Sequence, residues 1–219
     1  MTYSVTDGPR MPWRKGRKLR IAVNGKELES VTQFCYLGSM VTEDCRCECE
    51  VRRRIALAME AFNKKKDLMC GSISLQLKKR IVKAFVWSTV LYGSETWTLQ
   101  KSDIKRIEGF QMWIWRRMLK VPYLGRNTKK NDEVLRTAET KRELMDTLRT
   151  RQKKWLGHAL RHGTLVKTVL EGRLLRKKGR GRPKEMLLSW LLETSDEVMD
   201  YSQLKELAQE RTRWCRWRT

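Results

Sequence analysis

Residues 74–92 read SLQLKKRIVKAFVWSTVLY, and the fold turns on how this stretch is read. Its first half is a basic amphipathic helix with Leu75, Leu77, Ile81 and Val82 apolar, while from Ala84 to Tyr92 no side chain carries a charge. A helix that is apolar on all sides is normally buried. Ser74 stands where an N-cap belongs, and Gly93, just past Tyr92, stands where a helix stops. The segment is therefore expected to be the central strut of a mainly α-helical body, a helical bundle whose other helices cover it. Its lysine-rich start should reach the surface.

Working outward, 219 residues suffice for one core of ordinary size, or for one core with a smaller appended unit. The chain carries 48 Lys+Arg against 25 Asp+Glu, a formal charge of +23. Such an excess points to a polyanionic partner, and nucleic acid is the commonest; the alternative is a solvated basic surface that only maintains solubility. The uncharged run from Ala84 is broken by Ser, Thr, Tyr, Gly and then Glu95, too short to span a bilayer, so no membrane helix is expected. The amino terminus, MTYSVTDGPRMPWRKGRK, has no apolar core of the kind a secretion signal needs. The expectation is an intracellular protein, nuclear or cytoplasmic and not secreted, whose six cysteines stay reduced.

Residues 1–17 read as a disordered or extended lead-in. From Lys18, KLRIAV alternates Leu19, Ile21 and Val23, Asn24-Gly25 follows, and KELESV returns with Leu28, which predicts a β-hairpin because an Asn-Gly pair suits a tight turn with two positive φ angles. QFCYLGS at 33–39 should close a small sheet or pack across it. A helix is expected from Glu48 to Cys70, with Val51, Ile55, Ala58, Met59 and Phe62 on one face and Arg52, Arg53, Arg54, Lys64, Lys65 and Lys66 on the other. After the central helix, Ser102 should cap a helix from Asp103 to Leu119 that Pro122 ends. These elements make a first unit, 18–125. The second, 126–219, is a basic helical region: a short helix at 132–138, a helix over 141–162 opened by a Thr140/Glu143 capping box, an ambiguous strand or helical turn at 164–172, a Gly-punctuated basic loop, a helix from Pro183, and a last helix capped by Ser202.

Several blocks then line up: VNGKELESVTQFCYLGSMVTED at 23–44, RRRIALAMEAFNKKKDLM at 52–69, LKKRIVKAFVWSTVLYGSETWTL at 77–99, FQMWIWRRMLKV at 110–121, RQKKWLGHALRH at 151–162 and GRGRP at 179–183. In this order they resemble the carboxy-terminal part of the reverse transcriptases of LINE-like, non-LTR retrotransposons, the endonuclease-reverse transcriptase family. The likeness covers nearly all of the chain after residue 18. It implies a place in a larger RNA-directed DNA polymerase, in which a palm motif Phe/Tyr-x-Asp-Asp lies upstream of this segment and the YLGS block lies near the junction of palm and thumb. No Asp-Asp pair occurs in this chain. Two-metal phosphoryl transfer needs carboxylates that hold both cations close together, and Asp7, Asp44, Asp67, Asp103 and Asp132 are scattered. The expectation is a thumb and carboxy-terminal segment, a retrotransposon fragment without the catalytic palm, not itself an enzyme and using no cofactor. Its partner would be template RNA, RNA–DNA hybrid or DNA; its oligomeric state is left open.

Two basic sets would carry that binding. On the thumb-like helices they are Arg52, Arg53, Arg54, Lys64, Lys65, Lys66, Lys78, Lys79 and Arg80, whose plain alternative is a solvated helix face. The segment 141–184 holds 15 Lys+Arg against three acidic residues; within it lie Lys153 and Lys154, then Lys177, Lys178, Arg180 and Arg182 around Gly179 and Gly181. GRGRP equals the core of an AT-hook, whose glycines let extended backbone enter the minor groove of A·T-rich DNA while the arginines follow its floor. A structural or phosphate-contacting loop reads equally well from the same residues. The runner-up function is accordingly a stand-alone A·T-rich DNA-binding module, and a third reading is an inert, decayed fragment. Trp113, Trp115, Trp155 and Trp190 could stack on bases, but their helical spacing favours core packing. Cys45, Cys47 and Cys49 have single-residue gaps unlike a zinc knuckle, and His158 and His162 lie a hundred residues away, so no metal site is expected.

Overall fold

Asn24 and Gly25 both take positive φ, 51° and 75°, and join β1 (Ala22–Val23) to β2 (Lys26–Glu27) in an antiparallel hairpin with Val23 opposite Lys26. This is the turn chemistry expected from the Asn-Gly pair. The computed structural model describes residues 21–123, 129–163, 165–170, 187 and 200–218. The lead-in, the GRGRP loop and the helix expected from Pro183 lie outside the described residues, apart from Leu187, which packs partly buried against the core.

The third apolar run does not close the first sheet. β3 (Gln33–Tyr36) pairs with β4 (Ser39–Thr42) as a second two-stranded sheet, because Leu37 and Gly38 supply another pair of positive φ angles, 46° and 77°. Both hairpins leave their large apolar side chains, Ile21, Val23, Leu28, Phe34, Tyr36 and Val41 among them, exposed to solvent.

The body is helical. α1 (Glu48–Lys64) buries Val51, Ala58 and Phe62, breaks at Lys65, where φ is −116°, and gives way to α2 (Lys66–Cys70), so the single helix expected over 48–70 is two. The central segment runs through α3 (Leu75–Ile81), a π-helical stretch (Val82–Trp87) and α4 (Ser88–Val90). The Ser74 hydroxyl accepts from the Leu77 N–H at 3.4 Å, and Gly93 ends the segment at φ 70°. It is not buried on all sides. Val82, Val86, Trp87, Val90 and Leu91 form the buried face, with spacings of four and five that a π turn accommodates, while Phe85, Ser88 and Tyr92 stay exposed.

After a 3₁₀ turn (Ser94–Thr96) comes α5 (Lys101–Met118), capped by Gln100 rather than Ser102. The reason is Asp103: buried at N3, its carboxylate accepts from the Gln100 N–H at 3.2 Å and from Arg106 at 2.9 Å, and Gln100 answers in a reciprocal box. α6 (Asn131–Thr137) precedes α7 (Glu143–Arg161). The box expected at Thr140 does not form, since α7 starts at Glu143 with Arg142 in the cap position and the Thr140 N–H bonds back to the Leu135 carbonyl at 3.1 Å. The ambiguous run after Gly163 is a helix, α8 (Leu165–Leu170). The last part is α9 (Tyr201–Gln209), boxed by Asp200 and Gln203 instead of Ser202, followed by α10 (Arg211–Arg218).

One apolar cluster joins these helices, from Val51 and Phe62 through Ile114 and Trp115 to Leu148, Leu156, Leu204 and Trp214, and so reaches across the division expected at residue 125. Polar side chains lock it. Gln152, fully buried on α7, donates to the carbonyls of Ser94 at 3.1 Å and Trp97 at 2.8 Å, fixing the exit of the central helix. Arg116, buried on α5, donates to the Lys129 carbonyl at 2.7 Å and to Asn131 Oδ1 at 2.9 Å, which ties the start of α6 to the core. Among the described residues no helix is long and apolar enough to cross a membrane.

Candidate nucleic-acid interface

Three consecutive residues on a helix point about 100° apart, so the run Arg52, Arg53, Arg54 cannot form one face. Arg52 is exposed and paired with Glu48 at 2.6 Å. Arg54 is buried: its Nε meets Glu50 at 2.6 Å, its guanidinium donates to the Gly38 carbonyl, and its plane lies 4.3 Å from the centre of the Tyr92 ring. Arg53 donates to the same carbonyl at 2.9 Å, and Glu50 also accepts from the Met40 N–H at 2.8 Å. Arg53, Arg54 and Glu50 thus latch the β3–β4 turn onto α1. Neither the solvated face nor the phosphate grip that the sequence offered describes Arg54.

Lys79 is likewise committed. It is buried, with Nζ 2.8 Å from the Glu139 carbonyl, so it holds the end of α6 against α3. Four residues on, Lys83 donates to the carboxylate of Glu143 at 2.6 Å, a partner that sequence reasoning missed because 60 positions separate the two. Burial pushes the Glu143 carboxyl up, but the hydrogen bond and charge of Lys83, with the Thr140 hydroxyl and the Lys79 charge, outweigh it and hold the group below its ordinary value.

The other expected contacts remain at the surface. Lys64 is exposed and pairs with Glu60 at 2.8 Å. Lys65 places its ammonium 5.1 Å from the centre of the Phe85 ring. Lys66, Lys78, Arg80 and Lys154 have no ion pair among the described residues, and Lys66, Arg80 and Lys154 are exposed. Lys66 and Arg80 sit on the packed pair α2 and α3, while Lys78, two residues before Arg80, turns to another side of α3. Lys153 lies over the Trp217 ring at 4.2 Å and donates to the Trp217 carbonyl at 3.0 Å, which joins α7 to α10. Lys177, Lys178, Arg180 and Arg182 lie outside the described residues.

Of the tryptophans, Trp115 is fully buried, Trp113 packs edge-on to Phe62 at 5.1 Å, and Trp155 is half-buried against the core; Trp190 lies outside the described residues. On the helical segments the exposed aromatic rings include Phe85 and Tyr92, which the uncharged stretch 84–92 led one to expect in the core. On the far side of α1, an open apolar groove of about 450 Å³ runs between α1 and α5 over Ile55, Met59, Phe110 and Trp113. The six cysteines are free thiols, and burial pushes that of Cys47 up, against the opposing Thr98 N–H. His158 and His162 are exposed near the end of α7 with ring centres 4.4 Å apart. Among the described residues no three His, Cys, Asp or Glu side chains are grouped to hold a metal ion.

The chain is similar to an uncharacterized transposon-derived protein of Caenorhabditis elegans, F52C9.6, with 24% identity over 136 residues, which cover 62% of this chain and 49% of the relative. It spans about half the length of that relative. No family model matches the chain, and no solved structure matches it.

Proposed function

We propose that this chain is a nucleic-acid-binding segment of retrotransposon origin, the thumb and carboxy-terminal part of an RNA-directed DNA polymerase whose catalytic palm lies outside the sequence. The observation that carries the reading is the corner where α2 packs on α3, at which Lys66 and Arg80 are exposed and paired with no carboxylate among the described residues. In a chain of net charge +23, such a corner attracts phosphate without reading bases. The similarity to a transposon-derived protein supports the origin, and the ordered blocks that resemble non-LTR reverse transcriptases support the finer assignment. The chain's own residues supply affinity and positioning rather than chemistry.

The test is binding of the full chain to RNA–DNA hybrid, A·T-rich duplex and G·C-rich duplex across a salt series. Comparable affinities with a steep salt slope are expected, and Lys66→Ala with Arg80→Ala should lower the slope by about one for each phosphate no longer neutralised. Binding that is absent or insensitive to salt would overturn the proposal. A preference for A·T-rich duplex that Arg180→Ala with Arg182→Ala removes would shift the function to the hook-like loop.

A further inference from the structure

Phe85 and Tyr92 are each 50% exposed on a helical segment whose neighbouring residues Val86, Trp87, Val90 and Leu91 are buried. Phe85 lies in the π-helical stretch and Tyr92 in the turn just past α4, seven residues on, and the two make a ridge beside α1. Ser88 lies between them and is exposed, and its small side chain is turned back to the Ala84 carbonyl at 2.6 Å, so nothing bulky separates the rings. α1 runs antiparallel beside this ridge and supplies a cation to each ring: Lys65 at 5.1 Å from the centre of Phe85 and Arg54 at 4.3 Å from the centre of Tyr92. Tyr92 is further fixed by its hydroxyl, which donates to the Leu37 carbonyl at 3.0 Å.

Single exposed aromatic residues are common and call for no explanation. Two on one ridge, each backed by a cation and adjoining an unneutralised basic corner, make the arrangement that single-stranded nucleic acid uses: flat π surfaces for bases beside positive charge for phosphates. Bases inside a duplex present only their edges and cannot lie on such rings. We infer that the Phe85–Tyr92 ridge is a stacking platform for unpaired bases, so that the chain binds single-stranded RNA or DNA next to the duplex-gripping corner. This rests on the nucleic-acid reading above. Lys65 serves both parts, since its ammonium lies over the Phe85 ring and next to Lys66 in the chain.

The experiment compares the full chain with Phe85→Leu and Phe85→Trp. Each is titrated with a mixed-sequence single strand, the same strand with abasic positions in its centre, and a duplex. Leucine keeps an apolar side chain at a half-exposed site and removes the π face, so folding should be retained; a thermal unfolding curve checks this. Phe85→Leu is expected to weaken single-strand binding about tenfold, to leave duplex affinity unchanged, and to abolish the difference between intact and abasic strands. Phe85→Trp should restore it. If the wild-type chain binds all three ligands with a steep salt slope but does not distinguish intact from abasic strands, or if Phe85→Leu weakens duplex and single strand alike, the platform is wrong and the phosphate grip stands. If no ligand binds, both proposals fall.

Discussion

Gly157, in the middle of α7, has the indole of Trp214 where a side chain would begin: a Cβ there would meet Nε1 at 2.2 Å and Cε2 at 2.4 Å. Trp214 is 2% exposed and donates Nε1–H to the Lys153 carbonyl at 3.1 Å, so the ring has little room to retreat. Gly109 on α5 is the contrasting case, with nothing within 4 Å of an added Cβ. In a helix interior alanine is favoured over glycine by about 1 kcal/mol, whereas overpacking a filled site costs roughly 1–3 kcal/mol. Gly109→Ala should therefore raise the unfolding midpoint, and Gly157→Ala should lower it despite the same gain in helix propensity. Equal shifts in thermal or denaturant unfolding would show that α10 does not close over α7. The pairing of glycine with tryptophan was not legible in RQKKWLGHALRH, because the occupant of the gap arrives from 57 positions further along the chain. The same holds for the arginine run at 52–54: residue type announced charge, but only Glu50 and the Gly38 carbonyl decide that Arg54 is spent inside the protein.

Elements whose signals are local were readable, and those decided by tertiary partners were not. The Asn24-Gly25 hairpin, the Ser74 cap and the stop at Gly93 depend on neighbours in sequence and stand where expected. The Thr140 box failed because the Thr140 N–H turns back to the Leu135 carbonyl at 3.1 Å; Glu143, which still accepts from the Thr140 hydroxyl, is also bonded by Lys83 on the π-helical stretch, and this ties the central segment to α7. This link titrates. The Glu143 carboxyl lies below its ordinary value of 4.5 in the folded state, so the folded protein releases that proton more readily than the unfolded chain. The stabilisation is thus present above pH 4.5 and is lost as the pH falls through the lowered folded value. Asp44, Glu60 and Asp200 are also lowered and would blur a single profile, so the quantity to follow is the difference in melting temperature between wild type and Glu143→Gln. It should be positive and constant near neutrality, shrink once the pH drops past 4.5, and vanish at lower pH. A difference that stays flat from pH 7 to pH 3 would mean that the Lys83 bond contributes nothing to joining the two helices.

At the scale of the whole molecule, charge and apolar surface are segregated. Over residues 21–44, Lys26 is set against Glu27, Glu29, Glu43 and Asp44, so the double hairpin is acidic on a chain that is otherwise strongly basic. The same segment exposes Ile21, Val23, Leu28, Val31, Phe34, Tyr36, Leu37 and Val41, while the helical body buries most of its large apolar residues in one shared core. An exposed apolar patch of this kind, with the open edges of two-stranded sheets beside it, favours association. Its acidic character sets it apart from the basic helices and suits it poorly to a polyanion. Self-association in solution follows, restrained at low salt by repulsion between chains of charge +23. Added salt screens that repulsion over about 10 Å at 0.1 M and leaves apolar contact intact. Light scattering should accordingly show a mass that rises with protein concentration, and more steeply as salt is raised. Phe34→Lys with Tyr36→Lys, which places charge on both exposed rings of β3, should return the chain to a monomer without lowering its melting temperature, since neither ring belongs to the core. A wild-type chain that stays monodisperse and monomeric at high salt would mean that the hairpins are satisfied by their own residues, and that the latch of Arg53, Arg54 and Glu50 suffices to fold them down.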